Sequence, residues 1–290
     1  MNVLQTLVLG VVLGGVYALM AAGLTLVYGV MRIINLAHGA LLIASAYAAF
    51  FLNRHLGLDP IVSLVLTGPG MFVAGALLYR LLFTRLEGDD RYSERTVLLT
   101  FGLALVIEGL LGYFFTGIFR STNPAYAVGR VEIGDLFIPR GQLYAAIVSV
   151  VLLTFLAAFL ALSRTGHAIT ALSQNRRAAQ TVGVNVLRVS SIAFGVGLAL
   201  AGAAGSLMSY LYTFYPGQHW QWIALLMSLI VLGGMGSIKG AVVAAVILAV
   251  AAAFVSEQFG AVWTPMTFYL ALFGILLARP QGLFGVKGTI

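Results

Sequence analysis

One glutamate stands inside an apolar stretch. Glu108, in "LLTFGLALVIEGLLGYFFTG", is the only acid within a segment long enough to cross a bilayer. An ionisable group at such depth faces protein or a water-filled cavity, and it is a functional candidate by default. Its competing role is a protonated carboxyl bonded to a neighbouring helix. Two further sets lie where apolar runs break. "RIINLAHG" (32–39) places Arg32, Asn35, His38 and Gly39 between two apolar stretches with almost no room for a loop. "GGMGSIKG" (233–240) places Gly233, Gly234, Gly236 and Ser237 within one long apolar run. Backbone freed from a helix at membrane depth must meet protein or line a cavity. Asn35, His38, Glu108 and the glycine-rich block are therefore candidate walls of a polar path. Tight turns at the membrane surface and close small-residue packing are the alternatives.

A fourth set is basic. "ALSQNRRAAQTVGVN" (171–185) carries Asn175, Arg176 and Arg177 and no acid. On a helix at 100° per residue, Ala168, Ala171, Leu172, Ala178, Ala179 and Val182 share one arc, with Asn175 in its middle. Ser173, Gln174, Arg176, Arg177, Gln180 and Thr181 take the other arc. Gly183 is a natural terminator. The pattern predicts one amphipathic helix over 168–183. Its alanine face has no Phe or Trp to hold it on lipid. A solvated connector and a helix docked in a partner's groove remain as readings.

Other chemistries find no residues. There is no cysteine, and no His, Cys or acid stands at ligand spacing from His38, so no metal site is expected. A Gly-Lys-Ser/Thr phosphate loop is missing, as are a Ser/His/Asp set and paired carboxylates. The reading is therefore not an enzyme.

These residues must be positioned by membrane helices. The 290 residues are 61% hydrophobic and 9% charged, with mean hydropathy +1.02, whereas a soluble domain carries about 25% charged residues. Lys and Arg number 16 against 9 acids. Because they sit in short connectors, they report topology rather than nucleic-acid binding. The first basic residue is Arg32, so the opening apolar stretch lacks a charged leader and is expected to be a retained span.

Candidate segments lie near Val3–Tyr28, Leu36–Phe51, Ile61–Leu82, Thr96–Phe119, Leu143–Leu162, Val189–Tyr212, Trp222–Phe254 and Trp263–Leu277. None shows the alternation of a barrel strand. The expected fold is all-α: one polytopic transmembrane bundle over 1–290, with about eight membrane segments and broken or re-entrant helices. The 222–254 segment is too long for one untilted span, and its glycine block predicts two short helices in a hairpin. Arg80, Arg85, Arg91 and Arg95, mixed with Glu87, Asp89, Asp90 and Glu94, mark one cytoplasmic connector. Arg164, His167, Arg176, Arg177 and Arg188 mark another. The N-terminus and the 120–142 connector, which carries Arg120, Arg130 and Arg140, then fall outside. The C-terminus, with Arg279 and Lys287, falls inside. Tyr17, Tyr212, Phe214, Tyr215, Trp220 and Trp222 are expected in an interfacial belt.

"ALSQNRRAAQTVGVNVLRV" resembles the cytoplasmic segment of branched-chain amino acid ABC transporter permeases of the LivH type. "GVVLGGVYALMAAGLTLVYGVMRIINLAHGALLIASAYAAF", "LLTFGLALVIEGLLGYFFTG", "LIVLGGMGSIKGAVVAAVIL" and "RPQGLFG" resemble further blocks of that family in the expected order. The resemblance implies a non-catalytic subunit of the cell inner membrane that binds no cofactor itself. It implies pairing with a second, homologous permease, two cytoplasmic ATPases that use the ATP, and an extracytoplasmic solute-binding protein. It further implies that 171–183 is a coupling helix, with Asn175, Arg176, Arg177, Ala178 and Ala179 at the contact and Gly183 as the fixed turn. The family commonly has an acid where this chain has Arg177, so the contact of that acid is not carried over. A urea or short-chain amide permease shares the same blocks. An ion-coupled secondary transporter would use broken helices too, but one intramembrane carboxylate is few for coupling.

Overall fold

The computed structural model describes residues 3–86 and 91–285; Glu87, Asp89, Asp90 and Lys287 lie outside them. The described helices are α1 (Val3–Met31), α2 (Ala37–Leu56), α3 (Pro60–Leu78, prolonged by a π-turn, Tyr79–Phe83), α4 (Tyr92–Phe115), α5 (Arg140–Leu162), α6 (Arg164–Gln174), α7 (Arg176–Thr181), α8 (Val186–Leu211), α9 (His219–Gly233), α10 (Ile238–Phe259) and α11 (Thr264–Ala278). Seven of the described helical stretches are long and apolar enough to cross a membrane, α2 and α9 not being among them. The chain is a multi-pass helical membrane protein. The long 222–254 segment divides at its glycines into α9 and α10, but only α9 is short, α10 being long enough to cross a membrane by itself.

Two elements depart from the sequence reading. Within the 120–142 connector, β1 (Arg130–Ile133) and β2 (Leu136–Pro139) pair as an antiparallel hairpin, a small addition to an otherwise α fold. Gln5 of α1 clasps it: its amide nitrogen donates to the Phe137 carbonyl, and its Oε1 accepts from the Phe137 amide at 2.9 Å. The second departure is at 168–183, which forms two helices rather than one.

Helix starts follow side chains that cap them. Asp59 accepts from the Ile61 amide at 2.8 Å ahead of Pro60 in the first turn of α3. Ser163, Asn175, Asn185 and Ser237 cap α6, α7, α8 and α10 in the same way. Each satisfies an amide that the helix leaves unbonded.

The bundle centre is α1, α2 and α8, whereas α4 and α11 turn most of their surface outward. Lipid gives apolar helices no hydrophobic reason to associate, so close packing and interhelical hydrogen bonds carry the contacts. Gly10 and Gly14 let α1 lie against α10, where a Cβ would stand 2.6 Å from Val250 Cα and 2.8 Å from Val246 Cα. Gly29 meets Gly236 further along, so α1 and α10 run antiparallel. Ser45 Oγ donates to the Gly202 carbonyl at 2.7 Å, and Thr67 and Ser206 hydroxyls bond at 2.7 Å. The start of α1 and the β-hairpin thus mark one end of the bundle, the hairpin end. Met31 lies toward the other.

Candidate functional site

At the end opposite the hairpin, the chain leaves α5 and turns sharply. Ser163 Oγ accepts from the Gly166 amide at 2.8 Å. Gly166 lies where a Cβ would come 2.2 Å from the Phe159 carbonyl. Ile169 and Leu172 are buried, so α6 is held to the bundle by its own apolar side. It stops at Asn175, whose backbone is extended (φ −153°) and whose Oδ1 accepts from the Ala178 amide at 3.0 Å. This is why the predicted single helix is two. Asparagine is worth more as a cap than inside a helix. The break also scatters the predicted apolar arc: Ala179 stays buried, whereas Ala178 and Val182 join Asn175, Arg177, Gln180 and Thr181 on the exposed side. Arg176 is half-buried. Gly183 follows α7 with φ +87° and no neighbour within 4 Å of a Cβ, a left-handed position suited to glycine. The result is an exposed, basic elbow on an anchored helix.

The glycine-rich block lies nearby. A Cβ on Gly240 would stand 2.0 Å from the Gly233 carbonyl, so α9 and α10 meet backbone to backbone. Gly234 and Gly236 take φ +98° and +88°. Carbonyls freed at the end of α9 are capped from the C-terminal segment: Leu283 N–H donates to Leu232 O at 2.8 Å and Phe284 N–H to Gly233 O at 3.1 Å. Gly233 and Gly234 are thus enclosed, and close packing is their use. Gly236 and Ser237 instead line a small cavity of about 200 Å³, with Thr25, Thr170, Ser173 and Lys239. That cavity joins the break to α6.

Asn35 and His38 are fully buried, and neither lines one of the two cavities described here. The Asn35 amide has no hydrogen-bond partner. The His38 ring faces the Met20 carbonyl without a bond of ordinary geometry. The break is packed against neighbouring elements. Leu36 N–H donates to Thr100 Oγ1 of α4, and that hydroxyl donates to Ile34 O, both at 3.2 Å. Gly39 admits the His219 carbonyl, 2.6 Å from where a Cβ would sit. The start of α2 is therefore packed inside the protein.

Glu108 meets the segment entering α9. Its Oε2 accepts from His219 Nε2 at 3.0 Å and from Trp220 Nε1 at 3.1 Å. The His219 side chain is fully buried and that of Glu108 is 31% exposed. This carboxylate bonds a neighbouring element, and it lies in neither cavity. The site residues named from sequence are thus dispersed: a basic elbow, a glycine junction beside it, a buried polar break and a carboxylate pin.

A second cavity was not legible in the sequence. It has a volume of about 670 Å³ and opens toward the hairpin end among α1, α9, α10 and α11. Tyr17, Tyr212 and Trp222 belong to its wall rather than to an interfacial belt. Tyr17 and Trp222 are 7% and 6% exposed, and the Tyr17 and Tyr212 hydroxyls lie 3.2 Å apart. Tyr17 stands edge-on to Phe268 at 5.8 Å and to Trp222 at 6.3 Å, and Tyr212 edge-on to Trp222 at 5.2 Å. Gln142, Gln218 and Glu257 supply polar groups to the same wall, and Thr6 donates to Glu257. The available signal was three glutamines, Gln142, Gln218 and Gln221, beside aromatics at span ends.

Comparison with known proteins agrees along the chain. Residues 6–278 match the model of the family described as branched-chain amino acid transport system, permease component. The chain is 30% identical to the high-affinity branched-chain amino acid transport system permease protein LivH of Escherichia coli K12, over 97% of this chain and 95% of that one. It is 29% identical to its counterpart BraD of Pseudomonas aeruginosa, with the same coverages. The E. coli permease protein LivM is 27% identical over 92% of this chain and 67% of its own length. A solved structure of PsaBC from Streptococcus pneumoniae in complex with Fab shares the fold, with a TM-score of 0.50, 15% identity and coverage of 97% and 93%.

Proposed function

We infer the function from one premise: this chain belongs to the branched-chain amino acid transport system permease family. It is the membrane-spanning permease subunit of an ABC importer, and its solutes are branched-chain amino acids. The observation that carries this is the match along nearly the whole chain to relatives whose names state that transport. The weaker likeness to LivM supports pairing with a second, homologous permease.

In this reading the chain binds no cofactor and performs no catalysis. Two cytoplasmic ATPases consume ATP, and the exposed elbow at Asn175, Arg177 and Ala178 is what they grip. Arg176, Ala179 and Gly183 set its shape. An anchored α6 and a left-handed Gly183 make the elbow a stiff lever, so closure of the ATPases biases one of two arrangements of the permease pair. The small cavity lies between α6 and the α9–α10 break, so movement of the elbow carried by α6 would reshape the space beside Gly236 and Ser237. The hairpin end faces outward, where a solute-binding protein delivers its cargo. The N-terminus is then extracytoplasmic and the C-terminus cytoplasmic in the inner membrane. Asn35 and His38 are buried polar groups beside the path, and the partly exposed Glu108 pins the entry to α9.

Reconstitution tests this. The chain, purified with its companion permease and ATPases and placed in proteoliposomes with the binding protein, should accumulate labelled leucine only with ATP. Uptake of urea in place of leucine, or uptake driven by an ion gradient alone, would overturn it.

A further inference from the structure

The hairpin-end cavity holds polar atoms that the protein leaves unanswered. Gln142 Oε1, Gln218 Oε1 and Trp222 Nε1 are buried and have no hydrogen-bond partner, and all three residues line it. A buried polar atom without a partner is costly, so three around one space point to an occupant. Gln218 and Trp222 stand four residues apart at the start of α9, on one helical face. Gln142 comes from the first turn of α5. Of the Tyr17–Tyr212 pair, only one hydroxyl hydrogen is used between the two oxygens, which leaves a second O–H to donate. The wall thus offers two amide oxygens as acceptors, and an indole N–H and a phenol O–H as donors. Most of the rest is apolar or aromatic, including Leu13, Leu225 and Phe268, with Thr6, Gln221, Ser256, Glu257 and Thr264 as further polar residues, and no Lys, Arg or His lines it. Glu257, whose Oε2 accepts from Thr6, also lines the cavity and keeps further acceptor capacity. The volume suits a small organic molecule.

We propose that this cavity binds a zwitterion with a short aliphatic body. Its ammonium group donates to Gln142 and Gln218, and its anionic group accepts from Trp222 and the free tyrosine hydroxyl. Ammonium beside aromatic rings gains further from their faces. A simple carboxylic acid has nothing to give the amide oxygens, and urea leaves the apolar wall unfilled. Resting on the function proposed above, the zwitterion is a free aliphatic amino acid, and the site adds to selection within this chain. A phosphatidylethanolamine headgroup presents the same pair of charges and is the other source.

The test uses the assembled permease–ATPase complex in nanodiscs made only of phosphatidylglycerol, and measures binding of radiolabelled leucine directly. Leucine should bind saturably. Isovalerate, isoamylamine and urea should compete at least about tenfold more weakly than unlabelled leucine, and Trp222→Phe, Gln142→Leu and Gln218→Leu should each weaken binding about tenfold. Gln142→Leu, at a helix end, guards against a folding defect at Trp222. Absence of leucine binding, or unchanged binding in all three variants, would overturn the site. Discs of equal phosphatidylethanolamine and phosphatidylglycerol separate the sources: unchanged leucine binding supports the solute, and its loss overturns the solute in favour of the headgroup. Leucine uptake by the complete system reads the transport function separately, so either can fail alone.

Discussion

Asn175 Oδ1 accepts a hydrogen bond from the Ala178 amide at 3.0 Å, and that one contact ends α6, starts α7 and turns Ala178 outward. A helix continued through residue 175 would bury different side chains and present a different basic surface. The shape of the elbow therefore depends on a short polar side chain rather than on the two arginines beside it.

Replacing that cap should be visible locally. Asn175→Ala removes about 1 kcal/mol from α7, which corresponds to roughly fivefold faster exchange of the Ala178 amide. Asn175→Asp should restore wild-type protection. Hydrogen exchange resolved by mass spectrometry reads both.

Glu108 is the sole acceptor shown here for two N–H groups, those of His219 and Trp220. Glu108→Gln keeps an acceptor oxygen, whereas Glu108→Leu strands both donors at about 1–3 kcal/mol each. In a thermal melt of the detergent-purified protein, the leucine variant should unfold well below the glutamine variant. Equal melting temperatures would contradict the pinning role.

The α1–α10 contact makes a steric prediction. A side chain at Gly10 meets Val250 Cα at 2.6 Å, so Gly10→Val should cost about 1–3 kcal/mol through overpacking and lower the folded yield. At Gly274 nothing lies within 4 Å, and Gly274→Ala should leave the yield unchanged. Fluorescence-detected size exclusion compares the two.

Gln5 bonds both the carbonyl and the amide of Phe137, although 132 residues separate them. Gln5→Leu should free the Phe137 amide and raise its exchange rate while leaving the α1–α10 contact intact. Unchanged protection at Phe137 would show that the hairpin is held by other means.

What the sequence disclosed follows from range. Apolar length marks spans without any tertiary knowledge, and four glycines in eight residues mark the α9–α10 junction, because both signals are local. Gly183 was legible for the same reason. Asn175 was misread because a helical wheel assumes the helix continues, whereas capping competes with continuation at each asparagine. Tyr17, Tyr212 and Trp222 looked like surface anchors because aromatics near span ends usually are. Only the approach of α1, α9, α10 and α11, elements far apart in the chain, encloses them. The hairpin was hidden by its four-residue strands, one of which needs Gln5 of α1 to hold it.

The central claim is that the elbow at 175–183 transmits force from an ATP-consuming partner. Measure ATP-dependent leucine uptake by the reconstituted complex carrying Arg176→Glu together with Arg177→Glu, beside membrane insertion and ATPase co-purification. The expected result is normal insertion with uptake abolished and ATPase retention reduced. Full uptake with the ATPases still bound would contradict it.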